Sequence, residues 1–139
     1  MNSLRILLAV GSLVCGQFAL AQHGAKAPAE PMPPLLEGLG PVELKITTAD
    51  PMAQAYFNQG LRLMYAFNHD EAIKAFRAAE TIDPDCAMAQ WGIAAALGPN
   101  YNLEADPEKA EATVAALRKA QQLVKDATPK EQDYVAALA

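Results

Sequence analysis

The residue types best suited to chemistry lie close together in the stretch 67–100. They are a histidine, two acids and a cysteine: His69, Asp70, Glu71 and Cys86. Such side chains bind metals or act as acids, bases and nucleophiles. His69 and Glu71 are two positions apart, and on a helix this spacing directs them about 200° apart, so they cannot share a metal ion. Asp70 and Glu71 suit the first turn of a helix, whose positive end they complement. We therefore predict a structural role for this group.

Cys86 is the only cysteine expected in the mature chain, because Cys15 lies in a segment that is predicted to be removed. No CxxC motif and no histidine at ligand spacing accompanies Cys86, so the sequence favours a small buried side chain over a zinc or haem ligand. No nucleophile with a base, no phosphate loop and no close carboxylate pair is identifiable. No catalytic residue, cofactor or metal site is therefore predicted.

The segment 100–111 contains one pattern that suits a metal. Its oxygen-bearing side chains alternate as in a calcium loop. They are Asn100, Asn102, Glu104, Asp106, Glu108 and Glu111. However, Ala105 stands where such loops need glycine, and Pro107 is suited to begin a helix. A solvated polar turn is the favoured interpretation, and calcium binding stays open.

Residues 1–21 have the three-part layout of a secretory signal peptide. Arg5 precedes an apolar run, and Ala19 and Ala21 supply the small residues of a cleavage site before Gln22. The run is well short of the ~20 apolar residues that cross a bilayer, so no stable membrane span is expected after cleavage. The sequence therefore predicts a periplasmic or secreted protein.

Composition limits both the partner and the fold. The formal net charge is −5 and becomes −6 without Arg5, from 10 basic against 16 acidic residues, so nucleic acid is not expected as a partner. Hydrophobic residues make up 52% of the chain but aromatic ones only 6%, and alanine is abundant. This composition favours close-packed helices, which predicts an all-α fold.

Residues 22–48 are predicted to form a Pro/Ala-rich leader that ends in an extended arm. The leader has no helical or strand period up to Gly40, which is typical of a linker. Val42, Leu44 and Ile46 then alternate with polar residues. Because a single strand has no partner here, we expect an arm laid on an apolar surface rather than a sheet.

Helix-starting signals recur through the remaining chain. Asp50-Pro51, Asp106-Pro107 and Thr128-Pro129 each place a capping oxygen before a proline that is suited to the first helical position. Asn68 and Asp85 are predicted to begin two more helices. The five predicted helices span about 51–65, 69–82, 86–97, 107–125 and 129–139.

The helices follow a repeat pattern. Ala72, Phe76, Ala79 and Pro84 are separated by four, three and five positions, the small-large-small-Pro signature of a tetratricopeptide repeat of about 34 residues. Small residues let two helices approach while the aromatic ring fills the gap between them. The predicted packing residues are Tyr56, Gly60, Ala72, Phe76, Ala79 and Pro84, with Ala94 in the next unit. This organisation predicts a first helix pair at 49–85, a second with an inserted turn at 86–126, and the start of a third at 127–139.

From about Gly38 onward the chain resembles the N-terminal part of exported bacterial tetratricopeptide-repeat proteins. The resemblance is carried by "ITTADPMAQAYFNQGLRLMYAFNHDEAI", "DPDCAMAQWGIAAALGPNYN" and "EQDYVAALA". It implies a solenoid of antiparallel helix pairs and export from the cytoplasm, and it suggests that the chain is a fragment.

The leading functional hypothesis is a scaffold that binds a protein or peptide partner in a concave groove. The first helix of each pair lines that face in tetratricopeptide arrays. The candidate groove residues are Phe57, Asn58, Leu61, Tyr65 and Trp91. Core packing is the alternative interpretation of the apolar ones. The alternative function is the N-terminal helical segment of a larger exported enzyme or metal-dependent protein whose site lies beyond Ala139.

Expression in a bacterial host with an intact export pathway tests the predicted compartment. We expect the exported protein to begin at Gln22, because signal peptidase cleaves after a small-x-small sequence such as Ala19-Leu20-Ala21. N-terminal sequencing of the periplasmic fraction measures this. An exported form that still begins at Met1 would contradict the prediction.

Overall fold

A computed structural model describes residues 31–100, 104 and 106–139. These residues form five α-helices: α1 Pro51–Tyr65, α2 His69–Ile82, α3 Ala87–Leu97, α4 Pro107–Leu123 and α5 Pro129–Leu138. A 3-10 turn at Val124–Asp126 follows α4. The predicted all-α class is confirmed, and the helix ends lie within two residues of the predicted ones. The predicted signal peptide at 1–21 lies outside the described residues. Within the described part of the chain, no helix is long and apolar enough to span a membrane.

Three of the predicted helix starts have the expected caps. Asp50 Oδ1 accepts a hydrogen bond from Met52 N at 2.7 Å, and Asp106 Oδ1 accepts one from Glu108 N at 2.9 Å. Thr128 and Glu131 form a reciprocal capping box at the start of α5. Each proline at the first helical position lacks an N–H that would otherwise need a partner.

The other two predicted caps are wrong in detail. Asn68 precedes α2, but its side chain makes no cap hydrogen bond, because its ψ of 69° lies well short of the extended conformation that directs a capping oxygen at the helix. Asp85 lies one residue too early, since α3 begins after Cys86 and Asp85 N instead donates to Asp83 Oδ1 at 3.2 Å.

The turn between α1 and α2 contains a bulky residue in a left-handed conformation. Phe67 has φ 60°, and its N–H donates to Met64 O while Asn68 N donates to Leu63 O. These two bonds close a Schellman motif, in which this position is usually glycine. The tight turn keeps α1 and α2 side by side and antiparallel.

Phe76 sets the spacing of the first three helices. Its side chain is fully buried on α2, and its ring fills the space beside Gly60 of α1 and Gly92 of α3. An added Cβ would lie 2.7 Å from the ring at Gly60 and 2.5 Å from it at Gly92, so both positions need glycine. Phe57 completes the contact, with its ring centroid 5.5 Å from that of Phe76.

Most of the predicted packing residues are in the core. The buried ones are Tyr56, Gly60, Ala72, Phe76, Ala79 and Ala94. Pro84 lies exposed in the turn between α2 and α3. Gly92 was not among the predicted packing residues, because its partner Phe76 lies in the preceding helix pair.

Replacing Gly92 with alanine separates the effect of the Phe76 contact from helix propensity. In a helix without this contact, Gly→Ala stabilises by ~0.5–1 kcal/mol. Here we expect Gly92→Ala to destabilise by about 1–3 kcal/mol, because the new methyl group overlaps the ring. Urea unfolding followed by circular dichroism measures the change.

Phe76→Leu provides the matched control. The double variant Gly92→Ala/Phe76→Leu should lose less stability than the sum of the two single changes, because the smaller side chain leaves room for the methyl group. A more stable Gly92→Ala variant would show that the two residues do not limit helix approach.

Candidate functional site

Helix α1 carries polar side chains on the face that the preceding segment of the chain covers. Asn58 is 9% exposed and Gln59 is 4% exposed. Gln54 and Arg62 lie four residues before and after Asn58, so the three side chains follow one another along the same face. We call Gln54, Asn58 and Arg62 the polar row. Buried polar groups require hydrogen-bond partners, and these groups find them in the preceding segment of the chain.

The polar row binds the backbone of residues 42–46. We call residues 31–48 the arm. Four hydrogen bonds join Gln54 Oε1 to Ile46 N (3.0 Å), Gln54 Nε2 to Leu44 O (2.9 Å), Asn58 Oδ1 to Leu44 N (3.2 Å) and Arg62 Nε to Val42 O (2.7 Å). The side chains of one helix thus take the place that a neighbouring strand has in a sheet.

The spacing of these contacts explains why a helix can hold an extended chain. The arm advances two residues, from Ile46 to Leu44 and then to Val42, for every four residues of α1. Two extended residues span ~6.6 Å and four helical residues ~6.0 Å, so the two periods nearly match. The arm therefore runs antiparallel to α1 in a defined register.

A second part of the arm also contacts α1. Tyr56 Oη donates to Pro33 O at 2.8 Å, and the Gln59 amide donates to Pro34 O at 3.0 Å and accepts from Leu36 N at 2.7 Å. Between the two parts, the chain passes through Gly38 and Gly40, which have φ of 78° and 88°. Because such angles favour glycine, these residues allow the chain to reverse. Residues 33–36, whose composition is typical of a linker, are thus bound in place.

Two consecutive threonines attach the end of the arm to other helices. Thr47 donates from its N and from its Oγ1 to the two oxygens of Glu131 on α5, both at 2.6 Å. Thr48 Oγ1 donates to Asp83 Oδ2, at the C-terminal end of α2, at 2.5 Å. The arm therefore connects α1 to both α2 and α5.

Glu131 is a buried carboxylate with four hydrogen-bond donors. It is 2% exposed, and besides the two bonds from Thr47 it accepts from Thr128 N at 2.9 Å and Thr128 Oγ1 at 2.6 Å. Burial by itself raises the pKa of this carboxyl, but the bonds from Thr128 and Thr47 outweigh it and hold the pKa below its ordinary value. The group is therefore ionised at neutral pH and accepts all four bonds.

The five candidate groove residues do not form one open surface. Phe57 and Leu61 are buried in the core, at 0% and 3% exposure. Asn58 binds the arm. Trp91 is 8% exposed, and its Nε1 donates to Tyr134 O of α5 at 3.1 Å. Only Tyr65 is open to solvent, at 61% exposure.

Sequence reasoning missed Gln54, Gln59, Arg62 and Thr47, as well as the contact of the capping-box residue Glu131 with the arm. The sequence does contain a pattern for the residues on α1: amide and guanidinium groups recur at helical spacing in a helix that also carries buried apolar residues. Polar side chains on such a face need backbone partners, and the extended segment just before α1 is the nearest source.

His69 and Cys86, the two side chains with the most reactive groups, lie at different places in the fold, at the start of α2 and just before α3. Cys86 is 1% exposed, and burial raises the pKa of its thiol, which makes it a poor nucleophile. An open cavity of about 290 Å³ lies beside the turn between α1 and α2, where Phe67, His69 and Lys109 contribute to its lining. In the part of the chain that the structure describes, no group of three or more His, Cys, Asp or Glu residues could hold a metal ion. Residues 101–103 and 105 of the possible calcium loop lie outside that part.

The hydrogen bonds of Glu131 predict a pH-dependent stability. Because its pKa is lowered in the folded state, its contribution is present above the ordinary value of 4.5 and is lost as the pH falls through the lower folded value. We expect Glu131→Gln to destabilise the protein by about 1.5–3 kcal/mol at pH 7, the range for hydrogen bonds to a charged group. The difference from the parent should shrink as the pH falls below 4.5.

Urea unfolding at a series of pH values measures both stabilities. Asp133→Asn, an exposed change on the same helix, is the control and should stay within ~0.5 kcal/mol of the parent. Parent and Glu131→Gln curves that run parallel from neutral to acid pH would show that the carboxylate does not contribute in this way.

Comparison of the chain with protein-family models, with curated proteins and with solved structures finds no match. The inference of function therefore depends on the geometry of the arm, α1 and the helices around them.

Proposed function

We propose that this chain is an exported tetratricopeptide-type scaffold that binds an extended segment of a protein partner on the arm-bearing face of α1. The signal-like sequence at 1–21 supports export. Short turns join α1 to α2 and α2 to α3, and Phe76 packs against Gly60 and Gly92, which supports the repeat assignment. First helices of such pairs supply partner surfaces in repeat proteins.

The observation that carries this proposal is that the polar row bonds to backbone atoms. Val42, Leu44 and Ile46 are held through their N–H and C=O groups. Since every residue except proline offers both groups, a different extended peptide can make the same bonds. Peptide recognition by added strands has the same basis, with affinity from main-chain bonds and preference from side chains.

In this proposal the arm is an intramolecular ligand. An arm attached directly to α1 has an effective concentration in the millimolar range, so a partner must displace it. The arm also keeps Asn58 and Gln59 hydrogen-bonded when no partner is present. Regions that exchange with a ligand come from the less stable parts of a fold, and the arm, which is held largely by side-chain hydrogen bonds, fits that description.

A variant with a weakened arm tests the proposal directly. Ile46→Asp in the full chain should release the arm, because Ile46 is 4% exposed and a buried carboxylate there has no partner. We expect a fluorescently labelled peptide of residues 31–48 to bind this variant at least about tenfold more tightly than the parent, since it no longer competes with the attached arm. Fluorescence anisotropy measures the binding.

Lys45→Asp is the matched control, because it places the same residue at the neighbouring exposed position and should leave the arm bound. Adding Asn58→Ala to Ile46→Asp should weaken peptide binding, while circular dichroism shows whether the helices remain. If the helical Ile46→Asp variant does not bind the peptide at millimolar concentration, the face of α1 is not a peptide site.

A further inference from the structure

We infer that the partner segment carries a short motif: an apolar residue, any residue, an apolar residue of about the size of isoleucine and then two residues with hydroxyl groups. This inference rests on the proposed function and adds the sequence preference of the site. It follows from what surrounds each side chain of Leu44, Lys45, Ile46, Thr47 and Thr48 in the bound arm.

The apolar preference comes from alternate side chains that face the helices. Ile46 is 4% exposed and belongs to the hydrophobic core, and Leu44 is partly buried against it. Lys45, between them, is exposed. A competing peptide must fill the Ile46 position with a side chain of similar size, because an empty or polar occupant loses the buried contact.

The hydroxyl preference comes from two carboxylates. Glu131 and Asp83 accept from the hydroxyl groups of Thr47 and Thr48. Serine or threonine can donate there, valine cannot, and an acidic residue would face like charge. Glu131 also accepts from the Thr47 N–H, so this position is fixed through both backbone and side chain.

The opposite end of the site has the opposite charge. Arg62 lies beside Val42 and pairs with Glu43 at 3.0 Å. The side chain of Glu43 is 68% exposed, so this ion pair adds little preference for an acid. The backbone bonds of the polar row and the two carboxylates near Thr47 fix the direction in which a peptide lies on α1.

A peptide series bound to the Ile46→Asp chain tests the motif. The parent peptide covers residues 41–48, and single changes are made in the peptide alone. We expect Thr47→Val to weaken binding about tenfold, the effect of one hydrogen bond to a charged group, and Ile46→Asn to weaken it by at least about tenfold. Glu43→Gln should change binding by no more than about threefold, and Lys45→Ala should leave it unchanged.

A substitution of Glu131 in the protein tests whether this carboxylate causes the preference for a hydroxyl group at the Thr47 position. In the Ile46→Asp chain, the added substitution Glu131→Gln should reduce the penalty of the Thr47→Val peptide, because the neutral amide accepts a weaker bond. If Ile46→Asp does not fold, Leu44→Asp releases the arm at the other inward-facing position, and the same series applies.

The outcomes separate this inference from the proposed function. Peptides that bind the released chain with equal affinity would overturn the motif and leave the peptide site in place. Failure of every peptide to bind either released variant, with the helices intact, would overturn both. A Thr47→Val penalty that Glu131→Gln does not change would show that the carboxylate is not the source of the preference.

Discussion

The close approach of three helices around the ring of Phe76 determines the shape of the domain. Gly60 and Gly92 present bare backbone to this ring from opposite helices, so α1, α2 and α3 are held at a distance that no larger residue allows. Phe57 and Leu61 point into the same core. With these residues facing inward, the remaining face of α1 is left to polar side chains, which is why the arm binds there.

The arm shows how a segment without regular secondary structure can pair its backbone groups with the side chains of a helix. Asn58 and Gln59 are 9% and 4% exposed, and together with Gln54 their amide side chains supply donors and acceptors for the backbone of the arm. Gln and Asn suit the task, because one amide both donates and accepts. If Asn58 and Gln59 were apolar, the backbone groups of the arm that they bind would lose their partners. Leaving a shielded polar group unpaired costs more free energy of folding than one such hydrogen bond contributes.

Local chemistry was predictable from the sequence, and contacts between distant segments were not. Asp50-Pro51 and Thr128-Pro129 determine helix starts through neighbouring atoms, so their effect can be inferred without the fold. Gly92 was missed because its partner lies on another helix. Residues 33–36 showed no pattern, since they are held by side chains 23 to 25 positions away. The candidate groove included Asn58 of the polar row but not Gln54 or Arg62, whose hydrogen-bond partners lie in the arm.

The bonds between Thr47 and Glu131 also constrain the order in which the chain folds. The two residues are 84 positions apart, whereas the contacts of α1 with α2 and of α2 with α3 join neighbouring helices. Closing such a long loop costs entropy that an assembled set of helices offsets, so we expect Thr47 to reach Glu131 after the helices have packed, whereas the contacts of the arm with α1 span only 8 to 25 positions. During synthesis the arm leaves the ribosome before any of its binding partners exist. Leu35, Leu36 and Val42 keep 44%, 45% and 43% of their surface exposed even in the folded chain, so before the arm docks they are open to contact with other chains.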